Sequence, residues 1–276
     1  MKGYANPQLL ISPRELSERL ADEKPPLVLD LRPPDEYAAG HIPGAIHFDL
    51  WGLSLIDTDP APLHAFMWMI EHVLAIHGVR ADRSIVVYEG QSGMKAARAF
   101  WFLEYFGHPD TRLLDGGFDA WRRDDLPLSR DANPIKTTDW TGSREADVLA
   151  TWRDVAGALE RKDAVILDTR SDGEYFGTNV RAKRGGAIPG AKHIEWTKNL
   201  DERGAFKPAI ELQRIYEQAG ITPDREVITY CQGGYRGAHA YLALRLLGYP
   251  RVRSYIGSWK EWGDREDLPI EKPQHG

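Results

Sequence analysis

The residue best suited to chemistry is Cys231, the only cysteine among 276 residues. It follows a β-branched run at 227–230, which predicts a strand, and precedes a glycine-rich turn and an apolar run at 238–247, which predicts a helix. A thiol between a strand end and a helix start lies where the helix dipole and its unpaired amides favour negative charge. Arg236 adds a fixed positive charge nearby. Because these effects lower the pKa of a thiol, the segment predicts a nucleophile rather than a small buried hydrophobe.

The loop after this cysteine has the composition of an anion-binding cradle. Its three glycines, at 233, 234 and 237, let the backbone curl so that successive amides point inward, although a simple turn is the alternative. Arg236 is predicted to hold an anionic donor and to stabilise the negative charge on the leaving group. Its alternative role is a buried ion pair with a carboxylate at a strand end. The residues predicted to bind substrate in this loop are Gln232, Gly233, Gly234, Tyr235 and Arg236.

The chain contains the same pattern twice. Five motifs recur in the same order, which indicates a duplicated domain of about 130 residues. The second copy carries eight extra residues between its first two motifs. The matched segments are 29–37 with 167–175, 42–45 with 188–191, 85–89 with 227–231, 116–121 with 257–262, and 126–127 with 268–269.

Both copies alternate short β-branched runs with helical patterns, which predicts an α/β fold. Each domain should have a mainly parallel central sheet flanked by helices. Residues 1–130 form the predicted first domain, 131–147 a linker and 148–276 the second domain. Ser12 and Thr151 are predicted to cap the first helix of each copy.

Glu89 stands in the first copy where Cys231 stands in the second. A carboxylate cannot act as a sulfur nucleophile and repels an anionic substrate, so the first domain is predicted to be non-catalytic and the second catalytic. Arg170 follows the first strand of the second copy, and strand ends converge on sites in parallel sheets. We therefore predict that Arg170 contacts substrate with Asp168 in support. Bracing is the alternative, because the first copy keeps an aspartate and an arginine there without a cysteine.

The insertion in the second copy contains a basic cluster that could steer anions or form a solvated loop. Its basic residues are Arg181, Lys183 and Arg184. No other part of the sequence carries a comparable catalytic pattern: zinc-protease, phosphate-loop and dinucleotide motifs are missing. We predict no cofactor and no metal.

Composition limits the partners and the compartment. The net charge of −6 gives no basic footprint for nucleic acid. No stretch approaches ~18 uninterrupted apolar residues, so no membrane span is expected. The first residues lack the apolar core of a signal peptide, and one cysteine excludes an internal disulfide and a thiolate zinc cage. The expected location is the cytoplasm.

The duplicated motifs and the cysteine loop together resemble the rhodanese family, over about residues 12–270. The resemblance implies two tandem rhodanese-like domains and places Cys231 at the catalytic position, where the cysteine cycles between thiolate and persulfide. It implies a thiosulfate sulfurtransferase that moves sulfane sulfur to cyanide or another thiophilic acceptor such as a thiol. Gly233 and Glu174 depart from this pattern, since tandem-domain thiosulfate enzymes often carry basic residues there. These departures leave the physiological donor open.

Three alternatives remain open at this stage. The first is a 3-mercaptopyruvate sulfurtransferase, and the second is a non-enzymatic carrier that accepts persulfide from a partner. The third is a cysteine phosphatase or arsenate reductase, which also surrounds an oxyanion with a thiolate and an arginine. Four residues separate Cys231 from Arg236. Phosphatase loops are one residue longer, so the smaller cradle here suits a sulfur atom better than a tetrahedral phosphate.

Overall fold

Each half of the chain forms a five-stranded sheet in which all paired strands are parallel. The structure is a computed structural model and describes residues 2–274. The strand order is β1-β5-β4-β2-β3 in the first sheet and β6-β10-β9-β7-β8 in the second. The strands are β1 Leu10–Ile11, β2 Leu27–Asp30, β3 Ile46–His47, β4 Ile85–Tyr88, β5 Thr111–Leu114, β6 Leu149–Ala150, β7 Ala164–Asp168, β8 Lys192–His193, β9 Glu226–Tyr230 and β10 Val252–Tyr255.

Ten α-helices accompany these strands within the described residues. The predicted α/β fold with two parallel sheets is therefore confirmed, while the exact domain boundaries stay a prediction. The helices are α1 Pro13–Arg19, α2 Pro34–Ala39, α3 Pro60–Ile76, α4 Met94–Tyr105, α5 Gly117–Arg123, α6 Trp152–Ala158, α7 Asp172–Tyr175, α8 Ala209–Gln218, α9 Tyr235–Leu246 and α10 Ser258–Trp262.

The two predicted helix caps are present. Ser12 accepts a hydrogen bond from the amide of Glu15 at the start of α1. Thr151 forms a reciprocal capping box with Asp154 at the start of α6. Both caps satisfy amides that would otherwise lack partners in the first turn, which fixes where each helix begins.

Helix α9 begins at Tyr235, three residues before the predicted start. Gly234 has a φ of +87° and turns the chain directly into the helix. Arg236 therefore lies in the first helical turn. Gly237 lies inside the helix as well, and its role is not the predicted turn. A Cβ there would come within 3.3 Å of the Tyr230 backbone, so this glycine permits close packing of α9 on β9.

The two domains join through α4 and α9, which pack against each other. Arg245 at the end of α9 pairs with Glu104 of α4 at 2.7 Å, and Tyr241 donates to the same carboxylate at 2.8 Å. Both helices start a few residues after a central strand of their sheets. Their packing therefore brings the loop between β9 and α9 against the first domain.

The segment between the domains is held by the first domain. Trp140 packs edge-on against Phe106, with ring centroids 6.0 Å apart, and the amide of Thr138 donates to Ala75 at 3.0 Å. Ile135 in the same segment is exposed. In the described residues, no helix combines the length and the hydropathy that a bilayer crossing requires.

Candidate active site

Cys231 immediately follows β9 and is only 1% exposed. Its amide donates to the hydroxyl of Ser258 at 3.1 Å, and its carbonyl accepts from the amide of Trp259 at 2.8 Å. The first turn of α10 therefore fixes the backbone of the cysteine. Ser258 has a φ of +54°, which is uncommon for a residue other than glycine. Sequence reasoning did not identify Ser258 as a site residue. Its counterpart in the first copy is Gly117, which has a φ of +60°, so both copies have a left-handed backbone at this position.

The environment of the thiol favours its anionic form. Burial raises the pKa of Cys231, but the positive charge of Arg236 and hydrogen bonds from the amides of Gly237, Gly233 and Arg236 outweigh it. The net result is a pKa below the ordinary value for cysteine. A lower pKa increases the fraction of thiolate near neutral pH, and the thiolate is the nucleophilic form.

Arg236 makes a two-pronged ion pair with Glu174 of α7. Its Nη1 lies 2.6 Å from Oε2 of the carboxylate, and its Nη2 lies 2.9 Å from Oε1. Glu174 is 3% exposed. Burial raises its pKa, but the ion pair with Arg236 and the hydrogen bonds from Ser171 outweigh burial and bring the pKa to about 2. The predicted alternative of an ion pair for Arg236 is thus present, but its carboxylate lies on a short helix rather than at a strand end. The same arginine also faces Cys231.

A cavity of about 400 Å³ opens above the thiol. It contains the predicted residues Cys231, Gln232, Gly233, Tyr235 and Arg236, whereas Gly234 serves the turn. The first domain supplies much of the remaining wall, and Trp196 and Arg181 come from the second domain. Sequence reasoning missed the wall residues of the first domain because nothing local marks them. These residues are Trp51, Gly52, Ser54 and Met94.

The first domain also holds the loop after Cys231 in place. The hydroxyl of Tyr235 donates to the carbonyl of Leu50 at 2.6 Å. The side chain of Ser54 donates to the carbonyl of Gly233 at 3.4 Å. The site is therefore formed by both domains, although the cysteine belongs to the second.

Arg170 and Asp168 lie beneath the site and do not line the cavity. Arg170 Nη2 lies 2.5 Å from Asp168 Oδ2, and both residues are fully enclosed. Arg32 and Asp30 repeat the pair in the first domain, at 2.6 Å. This geometry favours bracing in both domains over the predicted donor contact of Arg170, because the guanidinium is already paired and shielded from the cavity.

The two arginines of the basic insertion, Arg181 and Arg184, make different contacts. Arg181 lines the cavity, is exposed and approaches Glu174 at 3.3 Å. Arg184 instead donates to the backbone carbonyls of Trp262 at 3.0 Å and Leu268 at 2.9 Å, which ties the insertion to α10 and the chain beyond it. Of the predicted steering cluster, Arg181 therefore has the position that suits an incoming anion.

Glu89 shows what the same cradle holds in the first domain. Its Oε1 accepts hydrogen bonds from the amides of Lys95 at 2.6 Å and Ala96 at 3.1 Å, at the start of α4. Lys95 corresponds to Gly237, whose amide bonds the thiol in the second domain. Burial raises the pKa of Glu89, although the amides of Ala96 and Lys95 oppose this, so the fold places an acidic side chain against helix amides at this point in both domains. In the first domain the group is a built-in carboxylate, which leaves no nucleophile.

No three His, Cys, Asp or Glu side chains in the described part of the chain are grouped so as to hold a metal ion. The predicted lack of a metal or cofactor stays a prediction.

Comparison with known proteins identifies the family. The rhodanese-like domain matches residues 12–124 and again 151–265. The chain therefore belongs to the rhodanese family and contains two rhodanese-like domains in tandem, which confirms the predicted resemblance.

The chain is similar to three proteins of known name or structure. The thiosulfate sulfurtransferase of Azotobacter vinelandii is 38% identical over 98% of this chain and 100% of its own length. The sulfur carrier protein TtuD of Thermus thermophilus is 35% identical over 98% of this chain and 99% of its own. The solved anaerobic ergothioneine biosynthesis enzyme of Chlorobium limicola, in complex with trimethyl histidine, has a TM-score of 0.86. It shares 22% identity, over 99% of this chain and 72% of its own, so that likeness concerns the fold alone.

Proposed function

We propose that this protein is a thiosulfate sulfurtransferase that carries sulfane sulfur as a persulfide on Cys231. The observation that carries the proposal is the buried thiol with a lowered pKa, enclosed by loop amides and facing Arg236. The name of the Azotobacter vinelandii relative supports the enzyme class and the donor. In this role Gln232, Gly233, Tyr235 and Arg236 form the donor site.

The first step is attack by the Cys231 thiolate on the outer sulfur of thiosulfate. The new sulfur–sulfur bond forms as the old one breaks, and the bonding electrons leave with sulfite. The product on the enzyme is a persulfide anion. Because a thiolate and a doubly charged donor must meet, the step needs positive charge beside the cysteine, and Arg236 and Arg181 supply it.

The second step is attack by an acceptor on the outer persulfide sulfur. Cyanide leaves as thiocyanate, a thiolate leaves as an organic persulfide, and the Cys231 thiolate is regenerated in both cases. The chain has no second cysteine. Internal resolution to a disulfide is therefore impossible, and release of sulfur depends on an external nucleophile.

Intact-protein mass measurement tests the proposal directly. After incubation with thiosulfate and removal of excess reagent, we expect the protein to gain the mass of one sulfur atom and to lose it on addition of cyanide. The Cys231→Ala variant should gain nothing. If 3-mercaptopyruvate adds sulfur to Cys231 and thiosulfate does not, 3-mercaptopyruvate replaces thiosulfate as the proposed donor. Loading only from a protein persulfide would favour the carrier role, for which the Thermus thermophilus relative is named.

The apolar side chains in the cavity wall favour an acceptor with an organic body. Trp51, Met94 and Trp196 line the cavity, and Trp51 is 56% exposed. Cyanide is too small to use these apolar surfaces, whereas an organic thiol covers them as it approaches the persulfide. We therefore propose that a thiol is the preferred acceptor and that cyanide is a surrogate.

Replacement of Trp51 with alanine separates the two acceptors. We expect the KM for phenylmethanethiol to rise about tenfold through lost apolar contact, while the KM for cyanide changes little. Initial rates with each acceptor at saturating thiosulfate provide the measurement. Trp68→Ala is the matched control, because Trp68 is 60% exposed on α3 and does not line this cavity. Equal effects of Trp51→Ala on both acceptors would contradict the acceptor proposal.

A further inference from the structure

Arg98 of α4 is buried against the catalytic loop from the side of the first domain. It is 2% exposed, and its Nη1 donates to the carbonyl of Gly233 at 2.5 Å. Its guanidinium carbon lies 4.0 Å from the ring centroid of Tyr235 and 5.3 Å from that of Phe102. The guanidinium is therefore held between two aromatic rings at the domain boundary.

No carboxylate in the described residues 2–274 forms an ion pair with the guanidinium of Arg98. Among residues 2–274, its Nη2 has no hydrogen-bond partner, in contrast to the paired guanidinium groups of Arg236 and Arg170. Burial lowers the pKa of Arg98, and the groups that raise it are Tyr235 and Cys231. A buried cation without a counter-ion is unfavourable, and the cysteine is the nearby group that becomes an anion during the proposed reaction.

We infer that Arg98 is a positioning residue that supplies the uncompensated positive charge for the sulfur anion on Cys231 and fixes the catalytic loop through Gly233. The inference rests on the proposed function, since it takes Cys231 as the nucleophile. It makes the first domain, which has no nucleophile, an electrostatic part of the active site.

The three arginines Arg236, Arg181 and Arg98 differ in how far their charges are neutralised or screened. Arg236 faces Cys231 but is also engaged by both oxygens of Glu174, so part of its charge is neutralised. Arg181 at the cavity wall approaches the same carboxylate and is exposed to solvent, which screens its charge. Arg98 is enclosed, and no carboxylate of residues 2–274 pairs with it, so neither solvent nor a counter-ion neutralises its charge.

The hydrogen bond to Gly233 adds a geometric effect. The carbonyl oxygen and the following amide of one planar peptide point in opposite directions. Because Arg98 holds the oxygen toward the first domain, the peptide between Gly233 and Gly234 cannot turn that oxygen toward the sulfur. A carbonyl facing the thiolate would repel it, so this contact preserves an environment of donors.

Two neutral variants test the charge. Arg98→Gln keeps a donor for the Gly233 carbonyl, and Arg98→Leu packs an apolar chain between the rings. The pH dependence of iodoacetamide alkylation gives the thiol pKa without turnover, because Cys231 is the only thiol. In both variants we expect this pKa to rise by about one unit, which slows alkylation about tenfold below the pKa. Arg98→Lys should stay close to the parent.

Thermal unfolding separates this role from a merely structural one. Because each neutral variant removes an unpaired buried charge, we expect an unfolding midpoint that is unchanged or higher. Arg245→Gln is the matched control: it removes another arginine between α4 and α9, paired with Glu104, and should leave the thiol pKa unchanged. If one neutral variant does not fold, the other decides.

An unchanged thiol pKa in a folded neutral variant would overturn the inference, as would the same rise in Arg98→Lys. Sulfur transfer from thiosulfate by the parent protein is measured separately. Failure of that transfer would reject the proposed function, whereas the alkylation profiles would still decide whether Arg98 stabilises the anion.

Discussion

Replacement of Cys231 with serine is expected to lower thiocyanate formation from thiosulfate and cyanide by about 10⁴-fold or more. The hydroxyl keeps the size of the thiol, but it is a far weaker nucleophile and does not form a persulfide. Since the chain has no other cysteine, no second thiol can take over. Initial rates with purified parent and variant, at equal concentration, provide the measurement.

The matched control for this change is Glu89→Gln at the corresponding position of the first domain. Its amide oxygen can still accept from the amides of Lys95 and Ala96, so α4 should stay capped. We expect its rate to remain within about twofold of the parent, because this position lies outside the cavity. Comparable losses in both variants, or retained activity in Cys231→Ser, would contradict the assignment of the nucleophile.

Replacement of Arg236 with methionine should reduce kcat/KM for thiosulfate by about 100-fold or more. Two effects act together: the anionic donor loses a charged contact, and the Cys231 thiol loses the charge that most lowers its pKa. The variant also leaves Glu174 enclosed without its strongest partner, which adds a negative charge beside the reaction. Steady-state kinetics across thiosulfate concentrations would show both a lower kcat and a higher KM.

The pH dependence of this variant has a definite sign. The thiolate is the active form and is present above the thiol pKa, which in the parent lies below the ordinary cysteine value. The parent should therefore keep its activity at pH values where an ordinary cysteine is protonated. Loss of Arg236 raises the thiol pKa, so the acidic limb of kcat/KM should move to higher pH. An unshifted limb would show that Arg236 does not stabilise the thiolate.

Glu174→Gln provides the opposite perturbation at the same ion pair. The variant keeps a side chain of similar shape for Arg236 and Ser171 but removes the charge that neutralises the arginine. We expect the KM for thiosulfate to fall severalfold and the acidic limb to move to lower pH. Opposite shifts in the two variants would separate electrostatic control from general disruption of the loop, which would move both in the same direction.

The duplicated architecture divides the work of the site between two related domains. Both use the same junction between a central strand and a helix to hold an acidic side chain. In the first domain that group is Glu89, bound by helix amides, and in the second it is Cys231. The carboxylate of Glu89 occupies its cradle permanently, whereas in the proposed reaction Cys231 alternates between a thiolate and a persulfide anion in its own cradle.

The sequence by itself determined the two α/β domains, their parallel sheets and the position of the cysteine that we propose as the nucleophile. These features depend on local patterns: β-branched runs, helix caps, glycines and a repeat that shows Glu89 in place of Cys231. The exact start of α9 escaped that reasoning, because it depends on the φ of Gly234 rather than on composition.

Only the tertiary structure decided what surrounds the thiol. Glu174 pairs with Arg236, and Arg170 is enclosed in a pair with Asp168. The other domain contributes Trp51, Met94 and Arg98 to the surroundings of the loop. Apart from the pair of Arg170 and Asp168, these contacts join residues far apart in the chain, on α4, on α7 and before α3, and no local pattern encodes them. Burial, pairing and the pKa of a thiol depend on neighbours in space, and the neighbours of Cys231 include residues more than a hundred positions away in the chain.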